Sequence, residues 1–143
     1  MSQLEIKINN IPIVVELATD SSSRNLGLMN RYAMPENNGM LFAFPDSQQR
    51  SFWMKNTHIP LSIAYISESG QIVDIKNMIP HSERGVPSSL PATYALEMNQ
   101  GWFDRNQVRC GDIVSGITGI QCESLLRNYV REKLLTESTI LTE

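Results

Sequence analysis

Trp53, Lys55, Asn56 and Thr57 stand within five residues of one another in "SFWMKNTHIPLSIAYI", residues 51 to 66. An aromatic wall, one cation and two hydrogen-bonding side chains are the mix that lines small-molecule pockets. On an extended strand, Trp53, Lys55 and Thr57 would face one side and Phe52, Met54 and Asn56 the other, leaving one face for a core and one for a site. The structural alternative has Phe52 and Met54 filling the interior and Trp53 covering an edge, while "NTHIP" turns the chain and Asn56 bonds backbone. Both readings stay open at this point.

Arg24 and Arg31 are seven residues apart, two helical turns, and would share one side of a helix that ran that far. Arginine forks bind carboxylate or phosphate in two-pronged fashion, and capping N–H groups near Asp20 to Ser23 would add affinity for an anion. Ion pairing with Glu16, Glu36 or Glu97 is the plainer use of the same arginines, since a glutamate inside an apolar strand needs a partner. Glu97 and Asp112 are the candidate acid and base of a hydrolase, glycosidic cleavage being the reaction that uses two carboxylates across one site. Against this, Glu97 reads as a solvated or arginine-paired strand residue, and Asp112 after Gly111 as a turn aspartate bonding its own backbone.

Metal chemistry has little support. His58, His81 and Cys110 are far apart in the chain, without C-x-x-C or H-E-x-x-H spacing, and no metal ligand is expected. There is no G-x-S-x-G elbow, and Cys110 has only Arg109 as a basic neighbour. The glycines at 39, 70, 85, 116 and 119 form no phosphate loop, so no cofactor is expected either.

The elements that must carry these residues are short. "LEIKINNIPIVVEL" alternates on both sides of Asn9-Asn10, the pattern of two half-buried antiparallel strands joined by a tight turn. Thr19, Asp20 and the three serines offer caps for a short helix over "RNLGLMNR", weakened at Gly27 and closed near Asn30. Residues 39 to 44, 50 to 56, 61 to 66, 71 to 79 and 92 to 99 are runs rich in β-branched and aromatic side chains, separated by proline, glycine and aspartate. Strands at this spacing predict an antiparallel barrel or sandwich. The loop 80 to 91, long and proline-punctuated, is a candidate rim or a crossover. A last strand, "IVSGI", leads to "QCESLLRNYVREKLL", where Leu125, Leu126, Tyr129, Val130 and Leu134 recur at helical spacing.

The chain has 143 residues, 41% of them hydrophobic and 19% charged, with a net charge of −3. That is the size of one domain, able to bury about two thirds of its extended-chain surface, and its composition is that of a soluble globular protein. The basic residues are scattered, so nucleic acid is excluded as a partner. No window approaches the roughly 18 apolar residues of a membrane span. The N-terminus lacks the pattern of a secretory leader, which predicts a cytoplasmic location. Cys110 and Cys122 are then expected as free thiols.

Several strings coincide in order: "ELATDSSSRNLGLMNR", "GMLFAF", "FWMKNTHIPLSIAYI", "QIVDI", "PATYALEMNQGWF" and "CGDIV". Over about residues 3 to 116 the chain resembles the bacterial and archaeal family named domain of unknown function 192. The resemblance implies a small, mainly β, jelly-roll-like barrel and carries no established activity. The chain departs from the pattern at Ser62, where relatives usually have an acidic residue, and in a helix from about 121 to 137 beyond the usual end. Many relatives begin with a leader or lipoprotein segment that is not seen here. A barrel domain over 1–120 and a helical extension over 121–143, packed on it or holding a partner, are therefore expected.

Three functions follow, in this order. The first is a non-catalytic or accessory module binding a small polar, anionic ligand at the barrel rim through Arg24, Arg31, Trp53, Lys55, Asn56 and Thr57. The second is a hydrolase using Glu97 and Asp112, carbohydrate-directed in one version. The third is a protein-interaction or self-associating domain acting through residues 121–137.

Overall fold

The computed structural model describes residues 2–117 and 120. Two strands, β1 (Gln3–Ile8) and β2 (Ile11–Ala18), form the expected hairpin. Asn9 and Asn10 turn it with φ of 51° and 66°, the pair of left-handed residues that a type I′ turn requires. A helix, α1 (Ser21–Leu26), follows, and then β3 (Asn38–Gln48), β4 (Ser51–Phe52), β5 (Leu61–Ile66), β6 (Ile72–Met78), β7 (Val86–Pro87), β8 (Ala92–Asn99), a single turn α2 (Trp102–Arg105) and β9 (Val114–Ser115).

Seven strands make one curled sheet in the order β6-β5-β8-β3-β2-β1-β9, and β4 and β7 make a small second one. The fold is thus mainly β, as expected, but it is not wholly antiparallel. β2 and β3 run parallel, with Val15 opposite Gly39 and Leu17 opposite Leu41. A parallel pair cannot be joined by a tight turn, so residues 19–37 cross over one face of the sheet and carry α1 with them. At the other end, residues 111–114 hydrogen-bond both to Gly70 and Ile72, at the start of β6, and to β1 through β9. The sheet's two edges meet across that segment.

The central strands separate two apolar layers. Leu41, Ala64, Ile66, Leu96 and Met98 join Ile6, Ile8, Trp102 and Phe103 on one side. Met40, Phe42, Ile63, Tyr65 and Ala95 join Leu28, Met54, Ile59 and Met78 on the other. All six residues of β5 are buried, which is why "LSIAYI" reads as a continuous apolar run rather than an alternation. Full burial of a medium-sized apolar side chain contributes about 1.5 to 3 kcal/mol, so the two layers stabilise the central strands from both faces.

Three local expectations are corrected. The helix does not run over 24–31; the Asp20 carboxylate accepts from the Ser23 N–H at 2.7 Å and the helix ends at Gly27 with φ 51°. A capping box therefore starts it early and a left-handed glycine stops it early. The strand expected over 50–56 stops at Phe52, because Asn56 adopts φ 54° and the Thr57 N–H bonds the Met54 carbonyl in a turn. Glu97 is neither solvated nor paired with arginine, as the site geometry shows. The helix expected over 121–137 and Cys122 lie outside the described residues; Cys110 is a free, exposed thiol. Among the described residues no helix is long and apolar enough to cross a membrane.

Ser62, at the position where an acidic residue is usual, is buried and keeps a hydrogen-bonding role. Its hydroxyl donates to the Asn77 side chain at 2.7 Å and accepts from the Gly101 N–H, the start of α2, at 3.0 Å.

Gly39 lies where β3 packs closest to β8: a Cβ there would collide with the Glu97 carbonyl oxygen and Met98 Sδ. Gly39→Ala is expected to lower stability by about 1 to 3 kcal/mol, as overpacking in a filled core does. Urea unfolding checks this, and an unchanged midpoint would mean that β3 and β8 part more easily than the register implies.

Candidate functional site

The crossover, the end of β3 and the turn after β4 enclose a cleft of about 610 Å³. α1 and the residues after it supply Arg24, Gly27, Leu28 and Met29; β3 supplies Phe42 and Phe44; residues 51–57 supply Phe52 to Thr57; Glu83 and Gly85 come from the loop 80 to 91; and β8 supplies Glu97. The chemistry of the opening motif therefore sits on a turn and not on a strand face. Trp53 is 47% exposed, with the Lys55 ammonium 5.2 Å from its ring centre, an arrangement that attracts the cation to the indole face. Met54 is buried beneath them, and Thr57, also buried, donates to the Lys55 carbonyl at 3.0 Å.

Backbone contacts hold the turn in place. The Asn30 N–H donates to the Asn56 carbonyl at 2.9 Å, the Met54 N–H to the Ser82 carbonyl at 2.8 Å and the His81 N–H to the Thr57 carbonyl at 3.2 Å. His58 Nδ1 and His81 Nε2 are 3.2 Å apart, and the His58 ring stacks on Tyr32 at 4.5 Å. The two histidines, remote in sequence, are thus neighbours that tie the crossover, the turn and the loop together. Among the described residues no group of three or more His, Cys, Asp or Glu side chains is placed to hold a metal ion.

An aromatic cluster forms one wall. Phe52 meets Phe42 edge-on at 4.8 Å and Phe44 at 6.0 Å. Arg24 reaches over Phe44 at 5.2 Å while donating to the Ala43 carbonyl at 3.0 Å. Phe42 and Phe44 were not recognised as site residues from sequence, although their spacing in "GMLFAF" places them on one face of β3. Glu83 was missed because a loop charge carries no periodicity to betray where it points.

Glu97 is the distinctive group. It sits mid-strand in β8, opposite Met40 on β3 and Ile63 on β5. It is 4% exposed; no described residue makes a hydrogen bond or ion pair to its carboxyl, whose oxygens reach the cleft rather than being sealed in the core. Burial pushes its pKa up to about 8, because most of the water that would stabilise the charge is displaced. The neighbouring Tyr65 hydroxyl, which donates to the Val86 carbonyl, is also raised, first by burial and then by Glu97.

The other sequence candidates lie elsewhere. Arg31 is outside the cleft wall and makes a two-pronged pair with Glu16, one arm at 3.1 Å. Glu36 is taken by Arg105 at 2.7 Å. Asp112 closes a turn, accepting from the Arg109 N–H at 2.8 Å and from Asn9 at 3.0 Å; these bonds, the backbone one first, hold its pKa below the usual value. The cleft thus brings together Arg24, Trp53, Lys55, Asn56, Thr57 and Glu97, and leaves out Arg31 and Asp112.

The model of domain of unknown function 192, described as an uncharacterized ACR, matches residues 4–116. The chain belongs to this family. Among solved structures it is similar to a candidate transcription regulator from Sinorhizobium meliloti 1021, at 38% identity and TM-score 0.75, over 81% of this chain and 93% of that one. It is also similar to a protein of unknown function from Novosphingobium aromaticivorans DSM 12444, at 30% identity and TM-score 0.74, over 79% of this chain and 84% of that one. No curated protein matches.

The buried carboxyl sets a pH dependence. Glu97 titrates near 4.5 when unfolded and near 8 in the fold, so between those values the folded state keeps a proton that the unfolded state has lost. Stability present at acid pH is lost as pH rises through that window. Between about pH 5 and about pH 8.5 the loss amounts to roughly 4 kcal/mol. Glu97→Gln cannot ionise and removes this slope, so urea unfolding at the two pH values should show the variant gaining on the parent by that amount. A difference that does not change with pH would mean that the carboxyl is not held protonated.

Proposed function

We propose that this member of the family is a small-molecule binding module whose ligand enters the cleft between α1 and the turn after β4. The observation that carries this reading is a largely buried glutamate in the wall of a 610 Å³ cleft, its carboxyl reaching the cleft with no hydrogen-bond partner among the described residues. A packing-only cavity would have an apolar residue at position 97, since an unsatisfied buried polar group costs about 1 to 3 kcal/mol. The curled sheet, jelly-roll-like in this reading, serves as the rigid frame. Trp53 and Phe52 flank an apolar body, Lys55 takes a polar, anionic end at the rim, and Asn56 and Thr57 supply hydrogen bonds there.

A hydrolase is the second reading, favoured by the same carboxyl: a group with a pKa of about 8 can give and take protons near neutrality. It no longer rests on Asp112, which the fold uses in a turn. Its second carboxylate would have to be Glu83, from the cleft wall. Transcriptional regulation, in the name of the Sinorhizobium meliloti relative, does not extend here by direct contact with nucleic acid, since a net charge of −3 with scattered cations lacks the basic face such binding uses.

A thermal-shift screen of sugars, nucleotides, amino acids and organic acids tests the binding reading, with Trp53→Ala and Glu97→Gln alongside. A ligand at a hundred times its dissociation constant adds about 2.7 kcal/mol, or roughly 9 °C for a domain of this size. The expected result is one class that shifts the parent and shifts the two variants less. No shift with any class, while Trp53→Ala merely melts earlier, would make the tryptophan a packing residue and sink the reading.

A further inference from the structure

We propose that the group received by Glu97 is a cationic nitrogen, so that the ligand is a small zwitterion with an ammonium at Glu97, an apolar body along the aromatic wall and an anionic end at Lys55. This rests on the binding reading above and adds the chemistry of the buried end.

An ionised carboxylate offers about four acceptor sites and no donor, and a protonated one only a single donor. The complementary ligand group is therefore rich in N–H donors. Among the described residues none donates to the Glu97 carboxyl. Arg24 is committed to the Ala43 carbonyl and the Phe44 ring. Lys55 lies over Trp53. The Tyr65 hydroxyl is spent on Val86. Glu83, the remaining charged group of the cleft wall, carries the wrong sign to help. None of the four is hydrogen-bonded to Glu97 among the described residues.

The choice between a neutral donor and a cation follows from magnitudes. At about pH 7 a carboxyl with a pKa near 8 must give up its proton to meet a cation, which reduces affinity by about tenfold. A hydrogen bond between ions is roughly twice as strong as one between neutral groups, and here it forms in a cleft also lined by Phe42, Phe52 and Met54. Aromatic faces add a further attraction for ammonium. The cation outweighs the tenfold loss; a hydroxyl or an amide would have the weaker bond alone.

Isothermal calorimetry with ε-aminocaproate, caproate, ε-hydroxycaproate and hexylamine at about pH 7, in two buffers of different ionisation enthalpy, tests this. The expected result is that ε-aminocaproate binds best and releases close to one proton, with affinity rising about tenfold per pH unit below the Glu97 pKa. Glu97→Gln should weaken ε-aminocaproate by tenfold or more and abolish proton release. Lys55→Ala should weaken ε-aminocaproate and caproate, leave hexylamine unchanged and leave the proton release intact. Circular dichroism checks that both variants are folded. Caproate or ε-hydroxycaproate binding as tightly as ε-aminocaproate, without proton release and indifferent to Glu97→Gln, overturns the ammonium while leaving the cleft a binding site. Failure of all four to bind also overturns it. Failure of the cleft reading is seen separately, in the broad screen, when no class of compound shifts the parent.

Discussion

Much of the molecule follows from the parallel pairing of β2 with β3. Two neighbouring strands that point the same way require the chain to travel back along the sheet before it re-enters, and residues 19–37 make that journey over one face. Every wall of the cleft depends on this. α1 is capped at Asp20 and stopped at Gly27, which leaves room between the crossover and the turn after β4. Had β2 and β3 been joined by a hairpin, Phe42 and Glu97 would face solvent or a flat second layer. The closure at the opposite edge, where residues 111–114 hydrogen-bond to the beginning of β6, serves the same end by keeping the sheet curled around its core.

Burial of the central strands on both faces then decides the electrostatics. Because β3, β8 and β5 are covered on each side, whatever residue faces the second layer at position 97 is desolvated, and a glutamate there is raised far above the carboxylate range. The folded state would be more stable with a methionine or leucine in this place, as replacing buried ionisable groups by apolar ones often shows. Residues that lower stability without a compensating contact concentrate at functional sites. Arg31 offers the contrast. It is an arginine of the same segment whose charge is matched at once by Glu16, outside the cleft wall.

The sequence carried the frame better than the site. β5 and β8 have the bounds expected of them, 61 to 66 and 92 to 99, since apolar runs closed by proline or by a polar pair are strong local signals. The Asn9-Asn10 hairpin was equally plain. The parallel pair was not, because periodicity marks a strand without naming its neighbour. The end of β4 was misplaced because "FWMKN" has strand-like composition, while the left-handed Asn56 and the bond from Thr57 to Met54 are tertiary choices fixed by Asn30 and Ser82. For the same reason Glu97 was expected to be solvated or arginine-paired: alternation put it opposite Leu96 and Met98, correctly, but only the crossover covers that side. His58 and His81 appeared distant, and Tyr32, which stacks on one of them, gave no sign at all.

A cleft assembled from separate segments is useful only if they hold their positions before a ligand arrives. Here the crossover is bonded to the turn through Asn30 and Asn56, the turn to the loop through Met54 and Ser82 and again through Thr57 and His81, and the side chains of Tyr32, His58 and His81 fasten all three from outside. Most of these bonds are backbone to backbone, so they survive changes in the lining side chains, and they spare a ligand the ordering of three loops that association would otherwise have to supply. The polar groups are correspondingly divided. The cations Arg24 and Lys55 are each engaged with an aromatic ring, and the Glu97 carboxyl, without an ion pair among the described residues, lies in the buried part of the wall. Burial is the cause of the raised Glu97 pKa. The charges of the cleft thus stand in different settings, and only a molecule that spans both can use them together.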